Sequence, residues 1–164
     1  MIVVIDTSVI TNLAAIGWLK LIQQLYTTIV ISIAVYNEMV AVDKPVPGAI
    51  EVQTLSWIHT ESVTNAQAVM DIQASVVNID LDEAETIILA LELNADLILM
   101  DERRGRALAT NYGLKVTGLL GILLQAKHRG LLSLVQPVMD QLIEEADFRI
   151  SSNLYANVLR NAGE

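Results

Sequence analysis

The part of this sequence that can do chemistry is a set of acids placed beside short apolar runs. Asp6 closes MIVVID and Asp101 closes ADLILMD, each directly after a run that reads as a buried parallel strand. Glu38 in VYNEMV and one of the glutamates in DLDEAETIILALEL complete the set. In open α/β sheets the working site lies outside the carboxyl ends of the strands. Carboxylates gathered there repel one another unless a cation holds them, and hard divalent cations prefer oxygen ligands.

Each acid also has a plainer explanation. Asp6 and Asp101 can simply sit at helix N-termini, where the helix dipole favours a negative charge. Glu38 alone reads as a solvated helix residue, because Val35, Met39 and Val42 form the buried stripe without it. The run at 82–85 (DEAE) starts a helix, where acids are favoured whatever the function. Glu83 and Glu85 stand about 200° apart around that helix, so one ion can hardly face both.

Strands alternating with helices must position these groups. Expected strands cover 2–5, 27–32, 57–63, 97–100 and 115–118. Expected helices begin at Thr7 or Ser8 as N-cap, then span Ala34 to Val42, about 65–76, 82–94, 102–112, 119–128, 133–146 and 152–161. The fold class is α/β, a single domain over 1–164 with a mainly parallel twisted sheet of about five strands and helices on both faces. Residues 131–164 form a C-terminal helical extension packed on it. The apolar stretches GLLGILLQA and LLSLVQPVMDQLI either pack on the chain's own sheet or offer a surface for a homodimer.

Charge sharpens the picture. The chain of 164 residues carries a net charge of −9, which argues against a broad non-specific nucleic-acid surface. Lys20 and Lys44 are the only bases up to Glu102, whereas Arg103, Arg104, Arg106, Lys115, Lys127 and Arg129 follow with no acid among them. An acidic cluster bordered by a basic segment suits phosphodiester chemistry, with metal ligands at the phosphate and cations along the flanking backbone. No apolar stretch approaches the ~20 residues that span a bilayer, and no basic leader precedes the first strand. A cytoplasmic protein without a membrane partner is expected. The absence of cysteine removes disulfides and thiolate metal sites. His59 and His128 have no zinc-ligand spacing, and neither a hydrolase triad nor a Gly-rich phosphate loop is present. Trp18 and Trp57 read as core or interface aromatics.

Taken together, DTSV after the first strand, SIAVYNE at 32–38 and EAETIILALELNADLILMDE at 83–102 resemble the PIN domain, a family of Mg²⁺- or Mn²⁺-dependent ribonucleases that includes the VapC toxins. The ending DERRGRALATNYGLKVTGLLGILLQAKHRG is similar to a PIN-like subfamily often found beside a small antitoxin-like gene. The resemblance covers about 2–130. It implies that Asp6, Glu38, Glu83 and Asp101 form the catalytic pocket, with Asp6, Glu83 and Asp101 as metal ligands and Ser8 hydrogen-bonded in support. It also implies an RNA substrate, gripped by Arg103, Arg104 and Arg106, and a small antitoxin protein as partner. The third position is Glu rather than the family's usual Asp, and Glu85 is its near competitor.

A metal-dependent ribonuclease, the toxin of a toxin–antitoxin pair, is the reading that follows. A catalytically silent PIN-like module that binds an antitoxin or RNA-processing partner is the alternative. A phosphoacceptor signalling domain fits poorly, because WIHTESV ends its strand without Asp and Lys115 stands at the start of the fifth strand rather than beyond it.

Overall fold

Runs of two to four residues, mostly β-branched, build the centre of the molecule. The computed structural model describes residues 1–41 and 43–164. Its strands are β1 (Val3–Ile5), β2 (Ile29–Ser32), β3 (Ile58–Glu61), β4 (Leu97–Leu99) and β5 (Val116–Thr117). They pair in the order β3-β2-β1-β4-β5, and every pair is parallel. Parallel neighbours need crossovers. The helices supply them: α1 (Thr7–Ala15), α2 (Lys20–Tyr26), α3 (Ile33–Val40), α4 (Ala49–Thr54), α5 (Ala66–Ser75), α6 (Leu81–Glu92) and α7 (Arg103–Asn111). Helices α8 (Leu119–His128), α9 (Gln136–Glu145) and α10 (Ser152–Asn161) follow the last strand.

The first three strands wind toward one edge, and the chain then returns to place β4 on the other side of β1. The winding reverses between β1 and β4, and a crevice at such a reversal is where doubly wound sheets take ligands.

Side-chain alternation splits the core into two layers. Val3, Ile5 and Leu99 pack with apolar residues of α1, α2, α3, α8 and α9. Val4, Ile98 and Met100 turn the other way, against α5, α6 and α7. The apolar stretches of the C-terminal half go into the first layer. Leu119, Ile122, Leu123, Val135 and Leu142 are fully buried there, with Val138, Met139 and Val158 from the 131–164 segment beside them. The Glu164 carboxylate closes this layer by accepting from the Val135 and Gln136 amides at 2.8 and 3.2 Å and pairing with Lys127 at 2.8 Å. No helix among the described residues is long and apolar enough to cross a membrane.

Two local expectations shift. The helix expected from Ala34 to Val42 starts at Ile33 and ends at Val40, with Ala41 as its C-cap outside the helix; Val42 lies outside the described residues. The first helix takes Asp6, not Thr7 or Ser8, at its N-cap position, without a side-chain capping bond. Thr7 is committed elsewhere, as its hydroxyl donates to Glu38 Oε2 at 2.8 Å.

The start of α3 is held from two sides. Ser32 Oγ accepts from the Val35 N–H at 3.2 Å, and Glu85 Oε2, reaching from α6, accepts from the Ala34 N–H at 2.8 Å. Glu85 therefore ties α6 to the helix that carries Glu38. Replacing it by Ala leaves a helix N-terminal amide unsatisfied, so Glu85→Ala is expected to lower stability by about 1–2 kcal/mol in urea unfolding. An unchanged midpoint would show that this tether contributes nothing.

Candidate active site

A cleft of ≈ 990 Å³ opens at the carboxyl edge of the sheet, walled by the starts of α1 and α6 and by Glu38 of α3. Eight of its lining residues are acidic and one, Arg104, is basic. A polyanion can enter such a field only if cations neutralise it.

Strand parity explains which acids meet. Asp6 lies two residues beyond Val4 and so emerges on the α6 side, where it is 2% exposed. Its backbone stays in the sheet, the N–H donating to Leu99 O at 3.0 Å. Asp82 and Glu83, from the first turn of α6, face it. Burial raises the Asp6 carboxyl well above its ordinary pKa; the Asp82 charge adds to the rise, a backbone hydrogen bond at Thr7 opposes it, and Glu83 contributes further. Glu83 is itself buried and raised, chiefly by desolvation, although its Oε2 accepts from the Asp80 N–H at 2.9 Å as in one half of a capping box. Glu38 stands at the exposed mouth, raised by desolvation and by Asp82 while its bond from Thr7 pulls it down. Asp82 thus touches the environments of both Asp6 and Glu38.

The packing around Glu83 is tight. A Cβ on Gly105 would come within 2.5 Å of Met100 Sδ and 2.9 Å of Glu83 Oε1, so only glycine lets α7 close over this carboxylate. Arg104 locks the start of α7 to the loop before α6 by donating from Nη1 to Val77 O at 3.0 Å.

Asp101 goes elsewhere. It lies two residues beyond Leu99 and emerges on the α8 side, where its Oδ1 accepts from the Leu119 N–H at 2.9 Å. It lines a second opening of ≈ 520 Å³ together with Arg103 and Arg106. Desolvation raises its pKa, while Leu119 and Arg106 hold it down. Of the residues expected to form one pocket, the structure brings together Asp6, Glu38 and Glu83, with Ser8 and Arg104 at the same cleft, and sets Asp101, Arg103 and Arg106 at the neighbouring one. Asp82 is the acid that sequence reasoning passed over. Its helix-start position masked it, and the signal that finds it is its place one residue before Glu83 on the turn facing β1. Glu85, by contrast, is bonded to α3.

Among the described residues five buried side-chain polar atoms have no hydrogen-bond partner, and four of them are Asp6 Oδ1, Ser8 Oγ, Glu83 Oε1 and Asp101 Oδ2; the fifth is Thr86 Oγ1. Native interiors rarely leave such atoms unpaired. Among the described residues no three His, Asp or Glu side chains converge closely enough to enclose an ion. Mg²⁺, however, commonly takes one or two carboxylates and keeps its waters. Asp6 and Glu83, each with a free buried oxygen, fit that demand.

The raised Asp6 carboxyl has a consequence for stability. An acid whose folded pKa exceeds its unfolded value binds its proton more tightly when folded, so stability falls as pH rises from about 4 toward the raised value. Without divalent ions, Asp6→Asn should therefore melt above the wild type by a margin that grows with pH from about 4 upward. A margin that does not change with pH would show that Asp6 is not charged at a cost.

The chain matches the family model described as DUF3368: PIN domain over residues 2–164. Among solved structures, a PilT N-terminus domain protein from the hyperthermophilic archaeon Sulfolobus solfataricus is similar, with a TM-score of 0.53 at 15% identity, over 88% of this chain and 95% of that one. This likeness is one of fold. No curated protein matches the chain. The match to the family model runs through both strand-end acids and into the last helix, and the chain belongs to the PIN-domain family.

Proposed function

We propose that the protein is a Mg²⁺- or Mn²⁺-dependent ribonuclease that hydrolyses RNA phosphodiester bonds at the acidic cleft. A PIN-domain fold is consistent with nuclease function. The observation that carries the reading is the set of unpartnered buried oxygens on Asp6, Ser8 and Glu83 at the switch point of the sheet. A bound divalent ion supplies positive charge at the phosphate and a water of lowered pKa.

The chain's own groups do the rest. Asp6 and Glu83 would hold the ion, the first fixed by the strand ladder and the second by the Asp80 amide. Asp82, whose charge acts on Asp6, would be the further ligand in the place that the family resemblance gives to Asp101. Glu38, oriented by Thr7, is placed at the mouth to accept a proton from the attacking water. Ser8 supports the shell with its free hydroxyl. Arg104, the one base in the cleft, meets the RNA backbone.

A second reading is favoured by one observation, the lack of three convergent ligands. Under it the chain is a PIN-like binding module for an antitoxin or RNA-processing partner. Thermal melts in EDTA, Mg²⁺ and Mn²⁺ separate the two. A site occupied at 100 times its Kd stabilises the fold by about 2.7 kcal/mol, so Mn²⁺ should raise the wild-type Tm and leave Asp6→Asn unmoved. In cleavage of a labelled single-stranded RNA, Asp6→Asn and Glu83→Gln should each lose about 100-fold or more, above what outer-shell partners of a metal carry. Glu85→Gln should keep its activity. No Mn²⁺ shift and no metal-dependent cleavage in the wild type would move the assignment to the binding module.

A further inference from the structure

The second opening is built unlike the first. Arg103 and Arg106 of α7 meet Arg149 there, and Phe148, Leu120 and Leu154 supply apolar wall. Three guanidinium groups thus share one pocket in a chain of net charge −9. None has an acidic partner at ion-pair distance, since the one ion pair among the described residues joins Lys127 to Glu164. Asp101 is the one acid in the wall. Gly118 allows this crowding, because a Cβ there would collide with both Arg106 and the Asp101 carboxylate.

The turn after α9 completes the pocket. Asp147 takes a left-handed conformation (φ 53°), and the Phe148 N–H then donates back to Leu142 O at 3.0 Å. Asp147 consequently lines the acidic cleft while Phe148 and Arg149, its two successors, line the basic pocket. One short segment forms the wall between them. Both openings lie at the carboxyl edge of the sheet, one after β1 and one after β4 and β5.

We infer that this pocket is a nucleotide subsite for single-stranded RNA, with Arg103, Arg106 and Arg149 on the phosphates and Phe148 against a base, holding the strand as it leaves the acidic cleft. The assignment rests on the ribonuclease reading of that cleft. Guanidinium forks match phosphate oxygens, and an aromatic face beside a cationic rim is how single strands are held without sequence preference. A simple anion site would have no use for the apolar wall.

The test is fluorescence anisotropy with a labelled uridine decamer in EDTA, where no cleavage occurs. Arg149→Ala should weaken binding about 5- to 10-fold and flatten the slope of log affinity against log salt by about 0.7, the value of one phosphate contact on a single strand. Phe148→Leu should weaken binding at every salt concentration and leave that slope unchanged. Lys20→Ala, remote from both openings, should bind as the wild type does. Wild-type affinity and salt slope in both Arg149→Ala and Phe148→Leu would overturn the inference, as would a wild type that fails to bind the decamer. Loss of binding in these variants without any Mn²⁺-dependent cleavage by the wild type would leave the subsite standing and remove the nuclease reading instead. Unchanged binding in the variants with normal wild-type cleavage would do the reverse.

Discussion

Burying carboxylates against one another is the constraint on which the rest of this structure turns. Asp6 is almost wholly removed from water, with Asp82 and Glu83 beside it and one oxygen unpaired. Such an arrangement works against folding, because a desolvated charge without a partner is among the most costly things a protein interior can hold. It persists because the surrounding structure overdetermines it. The Asp6 amide belongs to the ladder with β4, Glu83 is held by the Asp80 amide, and Gly105 lets α7 close over both Met100 and Glu83. Two apolar layers, one on each face of the sheet, supply the stability that offsets the strain. Buried acids with perturbed ionisation cluster at functional sites more often than elsewhere in a fold.

Much of the scaffold was legible in the sequence. Short apolar runs mark β1, β2 and β4, whereas β3 (IHTE) and β5 (VT) are half polar and stand out mainly by their place between helices; the alternation of strands with helices implies a parallel sheet. Boundaries differ by one to three residues, the largest shift being the helix expected from 133, which starts at Gln136. Thr7 and Ser8 look like capping residues, yet the Thr7 hydroxyl is drawn to Glu38, thirty-one positions away. A long-range partner of that kind leaves no trace in local sequence. The contest between Glu83 and Glu85 was legible only as a contest. Their angular separation says that one faces the cleft, and it takes the position of α3 to show that Glu85 is occupied by the Ala34 amide.

The placement of Asp101 is the most instructive departure. Strand-end position puts both Asp6 and Asp101 at the carboxyl edge of the sheet, but an edge has two sides. Val4 pairs with Ile98, so Asp6 stands level with Met100 and Asp101 is one residue further on. Successive side chains alternate, and that single residue sends Asp6 to α6 and Asp101 to α8. The register of β1 against β4 is the missing quantity, and sequence alone does not supply it. Asp82 was obscured for a different reason. Acids at a helix start are favoured by the dipole whatever they do, so their presence carries little information until the facing strand is known.

Charge is organised at the same scale. A net charge of −9 describes a protein that should repel RNA, yet the average hides a division into two adjacent fields. The first cleft is lined by eight acids and one base, and the neighbouring pocket gathers three arginines from segments more than forty residues apart. Arg149 was invisible as part of that group, because it lies beyond the run of bases that ends before Asp140 and reaches the pocket through the left-handed turn at Asp147. The same turn presents Asp147 to one field and Arg149 to the other. The C-terminal segment therefore does more than cover the sheet: it draws the boundary between the acidic surface and the surface that supplies fixed positive charge. Two adjacent openings of opposite charge thus lie along one edge of the sheet, and the potential changes sign across the short segment that separates them.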